Sequence, residues 1–542
     1  MWLSSGAAGC EDLFMAAPWY QNAVFYQVYV RAFHDSDGDG HGDIAGLRRR
    51  LDYLEWLGVD CLWLMPHYPS PLRDDGYDVA SYYGVHPQYG QLEDFQLLLE
   101  DAHRRGIRII TDLVLNHTSD QHPWFVEARR SRTSPMRDWY VWSDSPDRYA
   151  GVPIIFNGIE PSNWTFDEAT GQYYWHRFYK SQPDLNYANP AVADAMLAAA
   201  RYWLQMGVDG FRVDAAPYLF EQEGTLCESL PETHAYIQRM RALLTREFPQ
   251  AMLLAEACMQ PEQLVPYFGQ GDEFNMCFNF PVMPRVYLAL ATGNADALRR
   301  VVETTPPLPA GAQWATFLRN HDELNLWLVN EQERAFLFEH YAPLPEQRIF
   351  IGIRRRLAPL LGDDPRRIAL AHSLLYTLPG APVMYYGDEI GMGDDVRLSD
   401  RNGVRTPMQW DGSAGAGFSA ASPEAWYAPA VNAAAANVAD QEHDADSLLH
   451  TVRAMIAARK RSGAFATNTI TWWDGHGTPA FAYWRGEPDA PERVLALHNL
   501  SDAPVTLALM TDAGALTDAI TGEAAGGDVT LPAWGWRWLT AR

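Results

Sequence analysis

GVDGFRVDA, residues 207–215, decides how this chain is read. The stretch reads as a short strand rising out of a helix, and a strand period of two puts Arg212 and Asp214 on the same face. A buried strand holds an arginine beside an aspartate only where they pair or face a polar cavity, because an unpaired buried charge is costly. Two readings follow: an internal ion pair, or the wall of a catalytic site. The rest of the chain has to separate them.

Outward from that strand, apolar runs alternate with helical patterns. They begin at Ala23 (AVFYQVYV), Cys61 (CLWLMP), Ile107 (IRIITDLV), Gly210 (GFRVDA), Met252 (MLLAEA), Met276 (MCFNF), Trp314 (WATFLRN) and Pro382 (PVMYYGDE). Such alternation is the signature of a parallel sheet with crossover helices, and eight pairs predict an α/β fold, a (β/α)8 TIM barrel with its site at the C-terminal strand ends. Residues 118–189 form a Trp-, Tyr- and Pro-rich stretch without helical period. A structureless loop of that length is improbable, so an inserted lid domain is expected after the third strand, its aromatics forming mostly a small core. From residue 464 short strands follow one another without a helix, which predicts a C-terminal all-β domain, a β-sandwich.

The expected boundaries are a disordered leader over 1–17, the barrel over 18–117 and 190–463, the lid over 118–189 and the β domain over 464–542. Ile44 to Leu57 reads as one amphipathic helix with Arg48 to Arg50 on its solvated face, and Ser447 to Ser462 as the eighth barrel helix.

With 542 residues and 47% hydrophobic content, the chain exceeds one ordinary core. Its formal charge of -26 argues against nucleic acid and anionic membranes, which select basic patches. An uncharged or cationic substrate fits better. Five cysteines without paired spacing predict reduced thiols and the cytoplasm. The first residues lack the basic start and apolar core of a signal peptide, and no apolar run is long enough for a membrane span. Neither zinc spacing nor an organic-cofactor motif is present; assembly into a homo-oligomer stays open.

Polar groups recur at the ends of the predicted strands: Asp112 with Asn116 and His117, Arg212 with Asp214, Glu256, and Asn320 with His321 and Asp322. Bonds between sugars are broken by two carboxyl groups flanking the anomeric carbon, and Asp214, Glu256 and Asp322 would converge on one cavity. Separately, DSDGDGHGD places carboxylates at Asp35, Asp37, Asp39 and Asp43 and the His41 carbonyl as in the first part of a calcium loop, although position 12 holds no glutamate. The alternative there is a solvated acidic turn.

DLVLNH at 112–117, QPDLN at 182–186, GFRVDA at 210–215, the strand ending in Glu256 and FLRNHD at 317–322 resemble the signature segments of the α-amylase superfamily of retaining glycoside hydrolases. The resemblance runs from about Trp19 to the end. It implies Asp214 as nucleophile, Glu256 as general acid and base, and Asp322 as the group holding sugar hydroxyls, with His117, Gln182, Arg212 and His321 lining a glucose pocket. Tyr77 and Asp78 of the GYD segment are similar to the pocket's far wall in exo-acting relatives, where Asp78 would pair with Arg405. Asn116, Asp184, the carbonyls of Tyr218 and Leu219, and Glu221 resemble the family's calcium site between lid and barrel. The expected metal is therefore structural Ca2+, with Mg2+ as the alternative ion at one site.

On physical grounds Arg212 should lower the pKa of Asp214 while a less polar setting keeps Glu256 protonated.

Several long runs, among them 154–187 and 217–234, resemble the superfamily's trehalose synthase branch, isomerases that interconvert maltose and trehalose. That implies a sealed pocket, with Arg148 and Glu323 as its gate. The sequence departs from the branch at Cys258, where an amide is usual, and at Phe274 and Asn275, all expected near the leaving glucose. An α-glucosidase-type hydrolase or transglucosidase on maltose, trehalose or sucrose remains the alternative, and an inactive carbohydrate-binding relative a remote one.

Overall fold

In the computed structural model, residues 17–473, 480–490, 492–509 and 516–541 are described; the expected leader, apart from Ala17, lies outside them. Eight parallel strands close into a barrel: β1 (Phe25–Val28), β2 (Cys61–Leu64), β3 (Arg108–Val114), β4 (Gly210–Asp214), β5 (Met252–Ala255), β6 (Met276–Phe278), β7 (Gln313–Phe317) and β8 (Ala381–Tyr385). Each strand pairs with its neighbours in sequence, and β8 closes onto β1. All eight coincide with the predicted runs, because strands covered on both faces are continuously apolar.

The deciding stretch folds as read. The helix Pro190–Met206 is capped at its start by the Asn189 side chain and ends at Gly207 in the left-handed region, φ 113°. Gly210 opens β4 at φ 149°, where a Cβ would fall 2.2 Å from the Met252 carbonyl oxygen. Only glycine allows β4 and β5 to approach there. The register sets Asp112 beside Arg212 and Val114 beside Asp214.

Two helix expectations need correction. Ile44 to Leu57 is not one helix but Ile44–Arg49 and Leu51–Leu57, broken at Arg50. Arg50 leaves the solvated face because its guanidinium packs over Trp410 at 4.1 Å and donates to the Gly417 carbonyl. The lid contains a short helix, Pro123–Ala128, started by the His122 side chain and Pro123.

The rest of the lid centres on a three-stranded antiparallel sheet in which Gln172–Trp175 lies between Trp142–Ser143 and Trp164–Asp167. Val141, Tyr149, Trp164 and Trp175 form a small core of its own. A bridge from His117 to Asp184 and the Leu185 N–H bond to the Asn116 carbonyl tie it to the barrel mouth. The helix Leu448–Lys460, capped by Ser447, completes the barrel. Beyond it a six-stranded antiparallel sheet and a two-stranded one share a core that includes Leu495, Leu507, Val529 and Leu539. Trp538 and His498 bond Ser373 on the barrel helix Pro365–Thr377, which anchors this β unit.

Candidate active site

Arg212 ends the ambiguity of the opening stretch, because both readings hold at once. Its Nη1 donates to Asp112 and to Asp214, each at 2.5 Å, while Nη2 pairs with Glu256. The ion pair is thus internal, and it forms the floor of a cavity of about 150 Å3 lined by Asp214, Glu256 and Asp322. A single guanidinium holds both carboxylates, and retaining glycosidases use such a neighbouring pair, one carboxyl attacking carbon directly.

Burial changes the expected electrostatics. It pushes Asp214 up to about 6, with Arg212 pulling the other way. Arg212 therefore limits the rise and does not lower the pKa below its usual value, as the sequence reading had it. Burial pushes Glu256 further, to about 8, helped by the neighbouring Asp214 and Asp322. The order needed for catalysis survives: at neutral pH Asp214 is the ionised partner and Glu256 the protonated one. Asp322 is also buried, yet Arg401 and Arg405 hold it well below the usual carboxylate range, and the Nε2 of His321 lies 3.1 Å from its Oδ2. Burial keeps His321 neutral.

The pocket wall brings several of the expected residues together and leaves one of them out. Tyr77 stacks on His321 at 5.3 Å, and the His321 Nδ1 meets the Gln27 amide. The Gln182 amide reaches the Nε2 of His117 at 3.3 Å and donates to Asp74 at 2.9 Å. Asp78, expected to pair with Arg405, instead accepts bonds from Ser70 and from the backbone of Arg73 and Asp74, and holds their turn from inside. The pair at the far wall is Asp74–Arg401 at 2.7 Å, with Arg401 also 2.7 Å from Asp322. Arg405 sits behind it, bonded to Asp75 and Asp322. Asp74 and Arg401 were missed; the usable signal was the carboxylate cluster DDGYD at 74–78.

Glu323 lines the cavity, pushed up to about 7 by burial and the adjacent Asp322. Arg148 does not meet it. The guanidinium lies exposed over Tyr149, and no ion pair joins Arg148 to Glu323. Phe156 and Phe178 of the lid, also missed, line the pocket instead. Cys258 stands in the wall beside Glu256, a half-buried neutral thiol. Phe274 and Asn275 are elsewhere. They precede β6 at the opposite end of the barrel, where Asn275 bonds Leu253 and Tyr20, so they cannot touch a sugar in the pocket.

Of the two metal sets, the acidic loop brings only Asp35, Asp37 and Asp39 together. Asp43 turns away to cap the helix Ile44–Arg49 through Gly46, and the ring of His41 accepts from Arg31. In the second set, Asn116 Oδ1, Asp184 Oδ2 and Glu221 Oε1 are buried oxygens without a hydrogen-bond partner. Tyr218 and Leu219 stand on the turn between Asp214 and Glu221. Buried oxygens left unpaired are costly, and carboxylate, amide and carbonyl donors suit a hard cation.

Residues 27–340 and 354–468 match the family described as alpha amylase, catalytic domain. The chain belongs to the α-amylase family. Residues 486–539 also match a D-apionate lactonase C-terminal immunoglobulin-like domain. The chain is 50% identical to the trehalose synthase/amylase TreS of Mycolicibacterium smegmatis, over 97% of its own length and 93% of the relative's. It is 48% identical to a trehalose synthase of Pimelobacter, over 90% and 88% respectively. Among solved structures, an α-glucosyl transfer enzyme, XgtA, superposes with a TM-score of 0.81 at 30% identity, covering 97% of this chain and 100% of that one. A trehalulose synthase, MutB, superposes with a TM-score of 0.78 at 28% identity, covering 96% and 100%.

Proposed function

We propose that this enzyme interconverts maltose and trehalose by moving one α-glucosyl unit within a closed pocket. The observation that carries the reading is the Arg212-linked pair of Asp214 and Glu256 in a cavity whose far side is walled by Asp74–Arg401, with the lid residues Phe156 and Phe178 also in its lining. Asp214 attacks the anomeric carbon while Glu256 gives its proton to the leaving oxygen, so a glucosyl–Asp214 ester and free glucose form. Glucose turns over in place, and its anomeric hydroxyl attacks the ester while Glu256 takes the proton back. Water competes for the same ester, so hydrolysis is the side reaction.

The names of the relatives and the match along nearly the whole chain support the isomerase over the hydrolase. The partner is thus a disaccharide, with sucrose as a further candidate. The four cysteines among the described residues are free thiols, in keeping with the expected cytoplasm, and no described helix is long and apolar enough to cross a membrane. The three unpartnered oxygens of Asn116, Asp184 and Glu221 would hold Ca2+ and brace the turn after the nucleophile; Ca2+ or Mg2+ would sit on Asp35, Asp37 and Asp39.

Purified enzyme given maltose, or trehalose, should reach the same mixture of the two from either side. Glucose as the sole product from both sugars would overturn the reading.

A further inference from the structure

The lid residue Phe156 is almost wholly buried and lines the catalytic cavity. It is held from outside the lid. Its ring stacks on Phe350 with centroids 4.6 Å apart and planes 14° apart. Phe350 caps a hairpin of two short strands, Arg348–Ile349 and Gly352–Ile353, and the second of these pairs with Leu324–Asn325 directly after the pocket residues Asp322 and Glu323. The fit is close: a Cβ on Gly352 would fall 2.3 Å from Cγ of Glu323.

Phe350 takes φ 49°, a left-handed conformation that a bulky side chain adopts only where its surroundings hold it. What the strain achieves is orientation, since the ring is turned onto the lid. The guanidinium of Arg401 lies over both rings, 5.5 Å from Phe156 and 5.8 Å from Phe350, while pairing with Asp74 and Asp322. Tyr179 of the lid adds a second tie, packing on Phe156 at 4.3 Å and donating to Asp400 beside Arg401.

We propose that Phe350 is a positioning residue that clamps Phe156 over the pocket and so decides whether the glucosyl–Asp214 ester meets retained glucose or water. The inference rests on the isomerase reading for its consequence, and on the stack between Phe156 and Phe350 for its geometry. Dispersion and cation–π attraction across lid and barrel close the wall with apolar rings, and the Arg401 guanidinium over them is already paired with Asp74 and Asp322. In both fates the C1–O bond to Asp214 breaks and Glu256 accepts a proton from the attacking hydroxyl; only the attacker differs.

The test compares Phe350→Ala with Phe350→Tyr, which keeps the ring. Each variant is mixed with α-glucosyl fluoride and no sugar acceptor, and the glucosyl enzyme is followed by intact-protein mass, so that its decay measures capture by water alone. In Phe350→Ala the lifetime should shorten on the order of ten-fold, and the ratio of free glucose to isomerised disaccharide from maltose should rise by a similar factor. Phe350→Tyr should stay near wild type in both. An unchanged lifetime in Phe350→Ala, an equal shortening in Phe350→Tyr, or a shorter lifetime with an unmoved product ratio would each overturn the proposal. If the wild type forms no isomer, the proposed function falls, while the lifetimes still decide whether Phe350 keeps water out.

Discussion

Arg212 places Nη1 2.5 Å from Oδ1 of Asp214, and the same guanidinium holds Glu256, so one cation serves both the proposed nucleophile and the proposed acid. Burial sets Asp214 at about 6 and Glu256 at about 8. The proposed mechanism needs the first ionised and the second protonated. The kcat/KM for maltose should therefore fall as pH drops through about 6 and again as it rises through about 8. Glu256→Gln should abolish the alkaline limb together with nearly all turnover, and pH profiles of the two proteins check it. A profile still rising above pH 9 would contradict the assignment.

The far wall separates two neighbouring aspartates by role. Asp74 pairs with Arg401 in the pocket, whereas Asp78 accepts bonds inside its own turn. Asp74→Asn should raise KM for maltose about ten-fold or more, the equivalent of about 1.4 kcal/mol of lost sugar binding and pairing. Asp78→Asn should lower the melting temperature and leave KM within about two-fold, since its bonds, worth about 1 kcal/mol each, hold the turn and not the sugar. The opposite pattern would restore Asp78 to the wall.

That pair marks the limit of what the sequence disclosed. Buried parallel strands are long apolar runs, so all eight could be placed, and with them every carboxylate at a strand end. In DDGYD three carboxylates stand within five residues, and which one enters the pocket depends on backbone turns. Leu72 and Asp75 take φ 57° and 49°, two left-handed steps that swing Asp74 inward and Asp78 under the turn. No periodicity encodes such steps. Arg148 was beyond reach for a similar reason, since its place depends on how an irregular lid settles on the barrel. Arg50 was misread because Trp410, which draws it off the helix face, lies 360 residues further along the chain.

The buried oxygens of Asn116, Asp184 and Glu221 give a prediction for metal removal. Binding that favours the folded state should stabilise it by about 2.7 kcal/mol when Ca2+ is near 100 times its dissociation constant. Chelation should then lower the melting temperature, and Ca2+ should restore it. Asn116→Ala should abolish the calcium response more completely than Asp37→Ala, because the set around Asn116 is buried while Asp37 is exposed. Equal melting curves with and without chelator would reject the proposed ion.

Cys258 bears on where the leaving glucose goes. The thiol stands in the pocket wall beside Glu256 and Glu323, and burial with those two carboxyls keeps it neutral. A neutral thiol is a weak donor and a weak acceptor. An amide in its place would offer a firm bond to a sugar hydroxyl, worth about 0.5 to 1.5 kcal/mol. If that energy acts on retention alone, Cys258→Asn should raise the ratio of isomerised product to free glucose by about 2-fold to 12-fold. Phe274→Cys and Asn275→His should leave the ratio where it is, because both positions precede β6 at the far end of the barrel, where Asn275 bonds Leu253 and Tyr20. One chromatogram per variant, with maltose as substrate, reads all three. A ratio that is unchanged or falls in Cys258→Asn would mean that the thiol fills space in the wall and does not govern how long the glucose is held.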